Sequence, residues 1–159
     1  VFGSNFVWLQ IPISKIQKAD YRNEGIVVSA HFGAYIKPSV LVFNLKEFSG
    51  NNSPADLFRF LLQYARELKT QDFDQVILAY KGKEKFQLEG VYFKKLGREF
   101  DLQNPAYTIR TFPENVFDIN GKRAFSVWTG GLLGVMGKQM EDFNQFHKEW
   151  YLDEYKYRN

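Results

Sequence analysis

The chain contains no cysteine, so disulfide bridges, thiolate metal sites and thiol catalysis are all excluded. Histidine is also scarce, because His31 and His147 are the only two in the chain. They are far apart and lack the spacing at which two histidines, or a histidine and a glutamate, bind a metal from one helix. We therefore predict no metal site and no cofactor, and we expect both histidines to be structural.

No run of about 18 or more apolar residues occurs, so we expect no transmembrane segment. The chain begins with Val1 rather than methionine, which we interpret as a processed or trimmed N terminus. Residues 1–13 lack the basic leading region and the small-residue cleavage pattern of a signal peptide. A chain without cysteine suits the cytoplasm and equally an exported domain, so both compartments stay open.

Aromatic residues, in contrast, are abundant, with 16 Phe, 9 Tyr and 3 Trp among 159 residues. Each ring can bury on the order of 150–250 Å², so we expect rings to dominate the core. Rings in excess of the core would line a pocket or a partner surface. No repeat, low-complexity segment or linker divides the chain, and its length suits one domain spanning residues 1–159.

The net charge of +3 is small, and only residues 81–98 are densely basic, with six Lys or Arg and two Glu. The run Lys81-Gly82-Lys83-Glu84 is typical of an exposed hairpin tip. We interpret the basic region as a solvated turn and do not expect nucleic acid as a partner, although contact with another anionic partner is the lesser alternative.

Hydrophobic periodicity predicts an alternation of strands and helices along the chain. Ser53 is a helix N-cap, Pro54 suits the first helical position, and Asp56 complements the helix dipole. Asn120-Gly121 is a strong hairpin signal. The predicted strands are 4–11 (ended by Pro12), 25–32, 39–48, 75–80, 84–88, 106–112 and 122–128, with a turn at 33–38, and the predicted helices are 54–69, 90–102 and 131–151.

Residues 90–102 also fit a strand that continues the preceding hairpin, because Val91, Tyr92 and Phe93 suit a sheet; we favour the helix. The order of elements predicts an α+β fold, with an antiparallel sheet of six to seven strands and two main helices packed on one face.

The glycine-rich stretch 130–139 precedes a predicted helix but does not fit a phosphate-binding loop. Leu132 stands where the first Walker glycine belongs, and Gln139 stands where Ser or Thr should follow Lys138. We expect these glycines to let the helix approach the sheet closely. A weak anion-binding site at Gly130 and Gly131, where backbone N–H groups meet a helix N terminus, remains as a hypothesis.

No catalytic residue is predicted, because no nucleophile motif occurs. Arg110 lies in the middle of the predicted strand 106–112. If a helix covers its face of the sheet, the buried arginine requires a carboxylate or another anion; if that face is exposed to solvent, the residue has no functional meaning. Tyr107, Arg110 and Trp128 would be the polar groups of a Phe-lined ligand pocket, in which Arg110 binds a carboxylate.

Two functions follow. The favoured one is a non-catalytic domain that binds a protein partner or a cell-surface component through an aromatic-lined surface, since Tyr and Trp are enriched at interfaces. The alternative is a small apolar or carboxylate ligand bound in a cavity of a curved sheet, and under this alternative an enzyme stays open.

Overall fold

The computed structural model describes residues 2–33 and 37–158. The helices are α1 (Phe2–Ala19), α2 (Pro54–Glu67), α3 (Gly90–Glu99), α4 (Pro105–Thr111), α5 (Leu132–His147) and α6 (Asp153–Arg158). The strands are β1 (Val27–Gly33), β2 (Lys37–Glu47), β3 (Gln75–Tyr80), β4 (Lys83–Glu89) and β5 (Phe117–Asp118). Short 3₁₀ turns cover Tyr21–Asn23 and Phe112–Asn115, and a π-helical turn covers Lys148–Leu152 between α5 and α6.

The five strands form one sheet in the order β1-β2-β3-β4-β5. The pair β2–β3 is parallel and the other neighbours are antiparallel. The α+β class is confirmed, whereas the prediction of six to seven antiparallel strands is wrong. Two of the predicted strands are helices, and α2 returns the chain so that β3 starts at the same end of the sheet as β2, which makes that pair parallel.

One face of the sheet is apolar throughout. Ala30 pairs with Phe43, Phe43 is beside Leu78, and Leu78 pairs with Phe86. These side chains belong to a single buried core that they share with the helices. The other face carries more polar side chains, such as the half-buried Ser29. The sheet therefore has one face in the core, whereas the second face is more polar and only partly exposed, because Asn44 and Ala79 on it are buried.

Most of the aromatic rings pack inside the core, as expected. Phe58, for example, makes edge-to-face contacts with Phe112 and Phe143, with ring centroids 4.9 and 5.0 Å apart. The tyrosine-rich C-terminal tail is only partly available, because Tyr151 is buried whereas Tyr157 is 93% exposed. Among the residues whose burial the structure describes, Trp8, Tyr21, Tyr107 and Tyr157 are exposed. The aromatic-lined surface predicted from composition stays a prediction.

The predicted strand 4–11 is wrong, because these residues belong to α1. Leu9, Ile13 and Ile16 are buried at helical spacing. Pro12 was interpreted as a strand terminus, but it lies inside the helix. A proline there removes one backbone hydrogen bond, and the burial of the three apolar side chains offsets that loss.

Helix α1 also covers the free edge of the sheet. The Gln10 side chain accepts a hydrogen bond from the Ala30 N–H (3.0 Å) and donates one to the Val28 carbonyl (3.2 Å). Gln17 donates in the same way to the Ile26 carbonyl at 2.8 Å. These two side chains replace the missing neighbour strand and satisfy edge groups that could otherwise pair with another chain.

The middle of the chain follows the sequence-based prediction closely. Ser53 Oγ accepts from the Asp56 N–H, and the Asp56 carboxylate accepts from the Ser53 N–H, which completes a capping box at the start of α2. β3 occupies the predicted residues, and β4 is longer by one residue at each end. α3 confirms the helical alternative for 90–102 and ends at Glu99.

The predicted strand 106–112 is wrong, because residues 105–111 form α4. Asn104 Oδ1 accepts a hydrogen bond from the Ala106 N–H at 2.8 Å, and Pro105 occupies the first helical position. This cap-and-proline pair is the same start signal that was recognised at Ser53-Pro54. Thr108, Ile109 and Thr111 are β-branched and also suit a strand, so residue type alone does not distinguish the two structures here.

The hairpin around Asn120-Gly121 is a turn with very little strand. The Asp118 N–H donates to the Lys122 carbonyl at 2.7 Å, and Gly121 has a positive φ of 86°. Pairing beyond it is limited to the bridge between Phe117 and Arg123. The predicted second strand 122–128 is therefore wrong. The Asp118 side chain accepts from the N–H groups of Asn120 and Lys122, which is local bonding that competes with a ladder.

The closing helix predicted at 131–151 is confirmed, and the helical path continues through the π-helical turn into α6. The turn predicted at 33–38 lies partly outside the described residues, because residues 34–36 are not described.

Candidate functional site

A cavity of about 400 Å³ lies between α2, α3 and α4. This three-helix cavity has a mainly apolar lining with a few polar side chains. Its residues are Ala55, Phe58, Arg59, Leu62, Leu96, Glu99, Phe100, Gln103, Pro105, Thr108 and Ile109. The concavity along α1, in contrast, is lined by exposed side chains such as Val7, Ile11 and Lys18.

The two inner walls of the cavity are held at short distance by a glycine. A Cβ atom built on Gly97 of α3 would lie 2.2 Å from the Ala65 carbonyl oxygen of α2. Only glycine permits this approach of two helix backbones. Gly90, at the start of α3, is equally restricted by the Phe73 carbonyl oxygen. The sequence thereby sets the position of α3, and with it the width of the cavity.

The outer wall, α4, has no fully buried residue. Arg110 of α4 donates to Gln139 Oε1 of α5 at 3.4 Å, and Gln139 donates to Glu114 Oε1 at 2.9 Å. The half-buried Ile109 packs against the core from the cavity side. Hydrogen bonds to α5 on one side and apolar contact on the other therefore position α4.

Arg59 is the cation of the cavity lining, and two carboxylates surround it. Its Nη2 donates to Asp56 Oδ1 at 2.8 Å, and its Nε lies 3.4 Å from Asp20 Oδ2. The Nε contact has the distance of an ion pair without the alignment of a hydrogen bond. The positive charge of Arg59 is therefore already matched by protein groups.

Both of these carboxyl groups are stabilised in the ionised form. Hydrogen bonds from the Arg22 side chain hold the pKa of Asp20 well below its usual range, although burial opposes this, and Gln63 adds a further donor. Burial acts to raise the pKa of Asp56, but the hydrogen bonds from Ser53 and Arg59 outweigh it and lower that pKa. Both groups stay negatively charged near neutral pH.

Glu99 is the second ionisable group of the lining, and it is half-buried at the end of α3. Within the described part of the chain no Lys or Arg forms an ion pair with it. Its backbone carbonyl accepts from the N–H groups of Leu102 and Gln103. The neighbouring Arg66 is occupied elsewhere, by an ion pair with Asp101 at 3.2 Å and by the Phe100 ring at 4.3 Å.

None of the three predicted ligand-binding residues is in the lining of this cavity. Tyr107 and Arg110 belong to α4, with the Arg110 guanidinium 5.9 Å from the Tyr107 ring centroid. Trp128 precedes α5, where its indole N–H donates to Asp142 at 2.7 Å and Lys138 lies 4.9 Å from its ring centroid. The prediction of a ligand at these residues stays a prediction. The partner of Arg110 here is the neutral Gln139.

Gly130 and Gly131 precede α5, and Gly131 is its N-cap. Gly130 has a φ of +121°, and a Cβ on either residue, or on Gly134 or Gly137, would meet nothing within 4 Å. The expectation that these glycines allow close approach to the sheet is therefore wrong. The glycine positions of α5 thus face open space, although Gln139 in the same half of the helix is buried. The anion site at Gly130 and Gly131 stays a prediction.

His147 is buried in the core, as its position in an apolar stripe predicted. Its Nδ1 lies 2.9 Å from the Tyr151 hydroxyl, and its ring contacts Phe58, Phe143 and Phe146. Burial lowers the pKa of His147 to about 3. His31 lies on β1 and is half-buried. The described residues contain no group of three or more His, Asp or Glu side chains arranged to hold a metal ion.

Several lysines of the basic region 81–98 pair with carboxylates instead of forming one positive surface. Lys85 and Lys83 both approach Glu154, and Lys94 binds Asp72. Lys81 and Gly82 form the tip of the β3–β4 hairpin, both with positive φ. This arrangement matches the solvated turn expected from the sequence.

The residues of the three-helix cavity were not selected from the sequence. Ile109 and Thr108 were assigned to a strand, which placed them in a sheet rather than in a helical wall. Gly97 is the one sequence feature that pointed to the packing of these helices, because a glycine inside an amphipathic helix indicates a close contact with a neighbouring element.

Comparison of the chain with protein-family models, with characterised proteins and with solved structures yields no match. Across residues 2–33 and 37–158, none of the helices combines the length and hydropathy that a membrane span requires.

Proposed function

We propose that this domain is a binding protein without catalytic activity, and that its binding site is the three-helix cavity. The supporting observation is the cavity itself, with about 400 Å³ enclosed by apolar side chains of three helices. Ligand pockets typically measure about 300–1,000 Å³ and combine an apolar lining with a few polar groups. The ligand is a small molecule with an apolar body.

The polar groups around the cavity support binding rather than chemistry. Arg59 is engaged by Asp20 and Asp56, and Gln103 Oε1 accepts a hydrogen bond from the Asn104 N–H at 3.0 Å. These contacts hold the walls in place. A preformed wall reduces the entropy lost when a ligand is ordered.

A thermal-shift screen of small apolar fragments tests this function, with two variants of α4 as a matched pair. Thr108 lines the cavity and Ala106 is exposed on the same helix. Thr108→Phe fills the cavity, whereas Ala106→Phe adds the same ring outside it. We expect fragments to raise the melting temperature of the parent and of A106F, but not that of T108F. Equal shifts in both variants would place binding elsewhere and contradict the proposal.

A second candidate function is contact with a protein partner through the exposed start of α5. Leu132 and Leu133 are 68% and 85% exposed, and Val127 in the segment that precedes α5 is 52% exposed. Contiguous exposed apolar side chains often mark interaction surfaces. A photo-crosslinking residue at position 133 should capture one defined protein, whereas the same residue at position 84 should not. Equal capture at both positions would argue against this surface.

A further inference from the structure

We infer that the three-helix cavity selects an amphiphile with a cationic head, an amine on an apolar body, and that Glu99 is the residue that makes this selection. This inference rests on the proposed function and adds the chemical class of the ligand. It reverses the polarity suggested by the sequence, in which an arginine was expected to bind a carboxylate.

The first basis is the charge balance of the cavity lining. Among the described residues that line it, Arg59 and Glu99 are the ionisable ones. The charge of Arg59 is matched by Asp56, with Asp20 also within ion-pair distance. Asp20 is itself bound by Arg22, so these four groups sum to no net charge. The charge of Glu99 is therefore the one left uncompensated at the cavity.

The second basis is the direction of α3. Glu99 is the last residue of this ten-residue helix, and the C-terminal end of a helix carries a partial negative charge that favours cations. The carbonyls there accept from Leu102 and Gln103, but the dipole persists. The Glu99 carboxylate and the C-terminal end of α3 therefore both favour a positive charge at this side of the cavity.

The third basis is that, within the part of the chain that the structure describes, no Lys or Arg side chain forms an ion pair with Glu99. Arg66 is paired with Asp101 and lies on the Phe100 ring, and Arg110 is directed to Gln139 on α5. An incoming ammonium group can therefore donate to Glu99 in a half-buried site, where a charge-assisted hydrogen bond is stronger than in open solvent. A ligand carboxylate would be repelled by the like charge of Glu99. It could not gain a free cation from Arg59, because Asp56 and Asp20 already pair with that side chain.

Three probes of nearly the same shape separate the ligand class from the existence of the site: phenylpropylamine, phenylpropanol and phenylpropionate, titrated at neutral pH and followed by calorimetry or by chemical-shift changes. We expect the amine to bind about tenfold tighter than the alcohol, and the carboxylate to bind weakest. If the alcohol binds but the amine has no advantage, or if the carboxylate binds best, the cationic class is overturned and the cavity function stands. If none of the three binds, the proposed function itself fails, and the inference with it.

Glu99→Gln tests the assigned residue, with Glu89→Gln at the other end of α3 as the control. Glu89 is exposed and makes no side-chain capping bond. In E99Q the amine should bind within about twofold of the alcohol, while E89Q should keep the full preference. If E99Q still prefers the amine over the alcohol as strongly as the parent does, Glu99 does not select the cationic ligand. The melting temperature of each variant without ligand reports whether it is folded. If E99Q does not fold, the three probes on the parent chain still decide which ligand class binds.

Discussion

The Ala65 carbonyl oxygen of α2 lies where a side chain on Gly97 of α3 would have to stand, 2.2 Å from the position of its Cβ atom. This contact joins the two inner walls of the three-helix cavity. It also distinguishes Gly97 from the glycines of α5, which face open space.

Gly97→Ala should therefore destabilise the fold, because α3 must move away from α2 to admit the methyl group. We expect the free energy of unfolding to fall by about 2 kcal/mol, measured by urea denaturation. The loss should appear even though alanine favours a helix more than glycine does. Unchanged stability would show that the helices are farther apart than the structure places them.

Gly137→Ala in α5 is the matched opposite case, since a Cβ there meets nothing within 4 Å. We expect unfolding to become less favourable by up to about 1 kcal/mol, the usual difference between alanine and glycine in an exposed helix. Circular dichroism during denaturation measures it. A loss of stability here would mean that this part of α5 packs against a neighbour.

Gln10→Ala should expose the free edge of β1. The variant loses the hydrogen bonds to Ala30 and Val28, which we expect to cost about 1–2 kcal/mol. Because unpaired edges promote association, sedimentation velocity should also show more oligomer at high protein concentration. Ser14→Ala, at an exposed position of the same helix, should change neither property. Identical sedimentation of Q10A and the parent would contradict the role of Gln10 as an edge cover.

His147 should make stability depend on pH. The folded chain keeps it neutral down to about pH 3, whereas the unfolded chain binds its proton near the ordinary pKa of 6.5. A lowered histidine pKa means that the unfolded state gains protons first, so stability falls as pH falls below about 6.5. Between about pH 7 and about pH 5 we expect a loss of about 2 kcal/mol, measured by urea denaturation at each pH.

The variant that isolates this effect is His147→Phe, which keeps an aromatic ring in the core. It should be less stable at every pH, because the Tyr151 hydroxyl loses its partner, but the decline between about pH 7 and about pH 5 should largely disappear. Asp20 and Asp56 have lowered pKa values, so their contributions are lost only at lower pH, as the unfolded carboxyl groups titrate. A decline that persists in H147F would assign the effect to another group.

The parts of the fold that could be predicted from the sequence are those in which the helix cap, the hydrophobic periodicity and the turn residues all indicate the same secondary structure. At Ser53-Pro54 the cap precedes a clear apolar stripe, and at Lys81-Gly82 the turn joins two alternating strands, so both neighbourhoods were assigned correctly. At Asn104-Pro105 the cap is followed by residues that suit either a helix or a strand, so cap and residue type do not agree there.

The cavity depends on that misassigned helix. As a strand, 106–112 would have joined the sheet and left α2 and α3 without an outer wall. The contact between Gly97 and Ala65 joins residues 32 positions apart, and hydrophobic spacing within one helix contains no information about such a neighbour. Arg110 was predicted to bind a carboxylate if it were buried in a strand, whereas on a helix it is half-buried and donates to Gln139 of α5.

Binding in the three-helix cavity can be located by nuclear Overhauser contacts between bound phenylpropylamine and the methyl groups of the protein. We expect contacts to Leu62, Leu96 and Ile109, which line the cavity from three different helices, and we expect them to disappear in Thr108→Phe. Contacts confined to exposed methyl groups such as those of Val7 or Leu133, or contacts that persist in T108F, would contradict binding in this cavity.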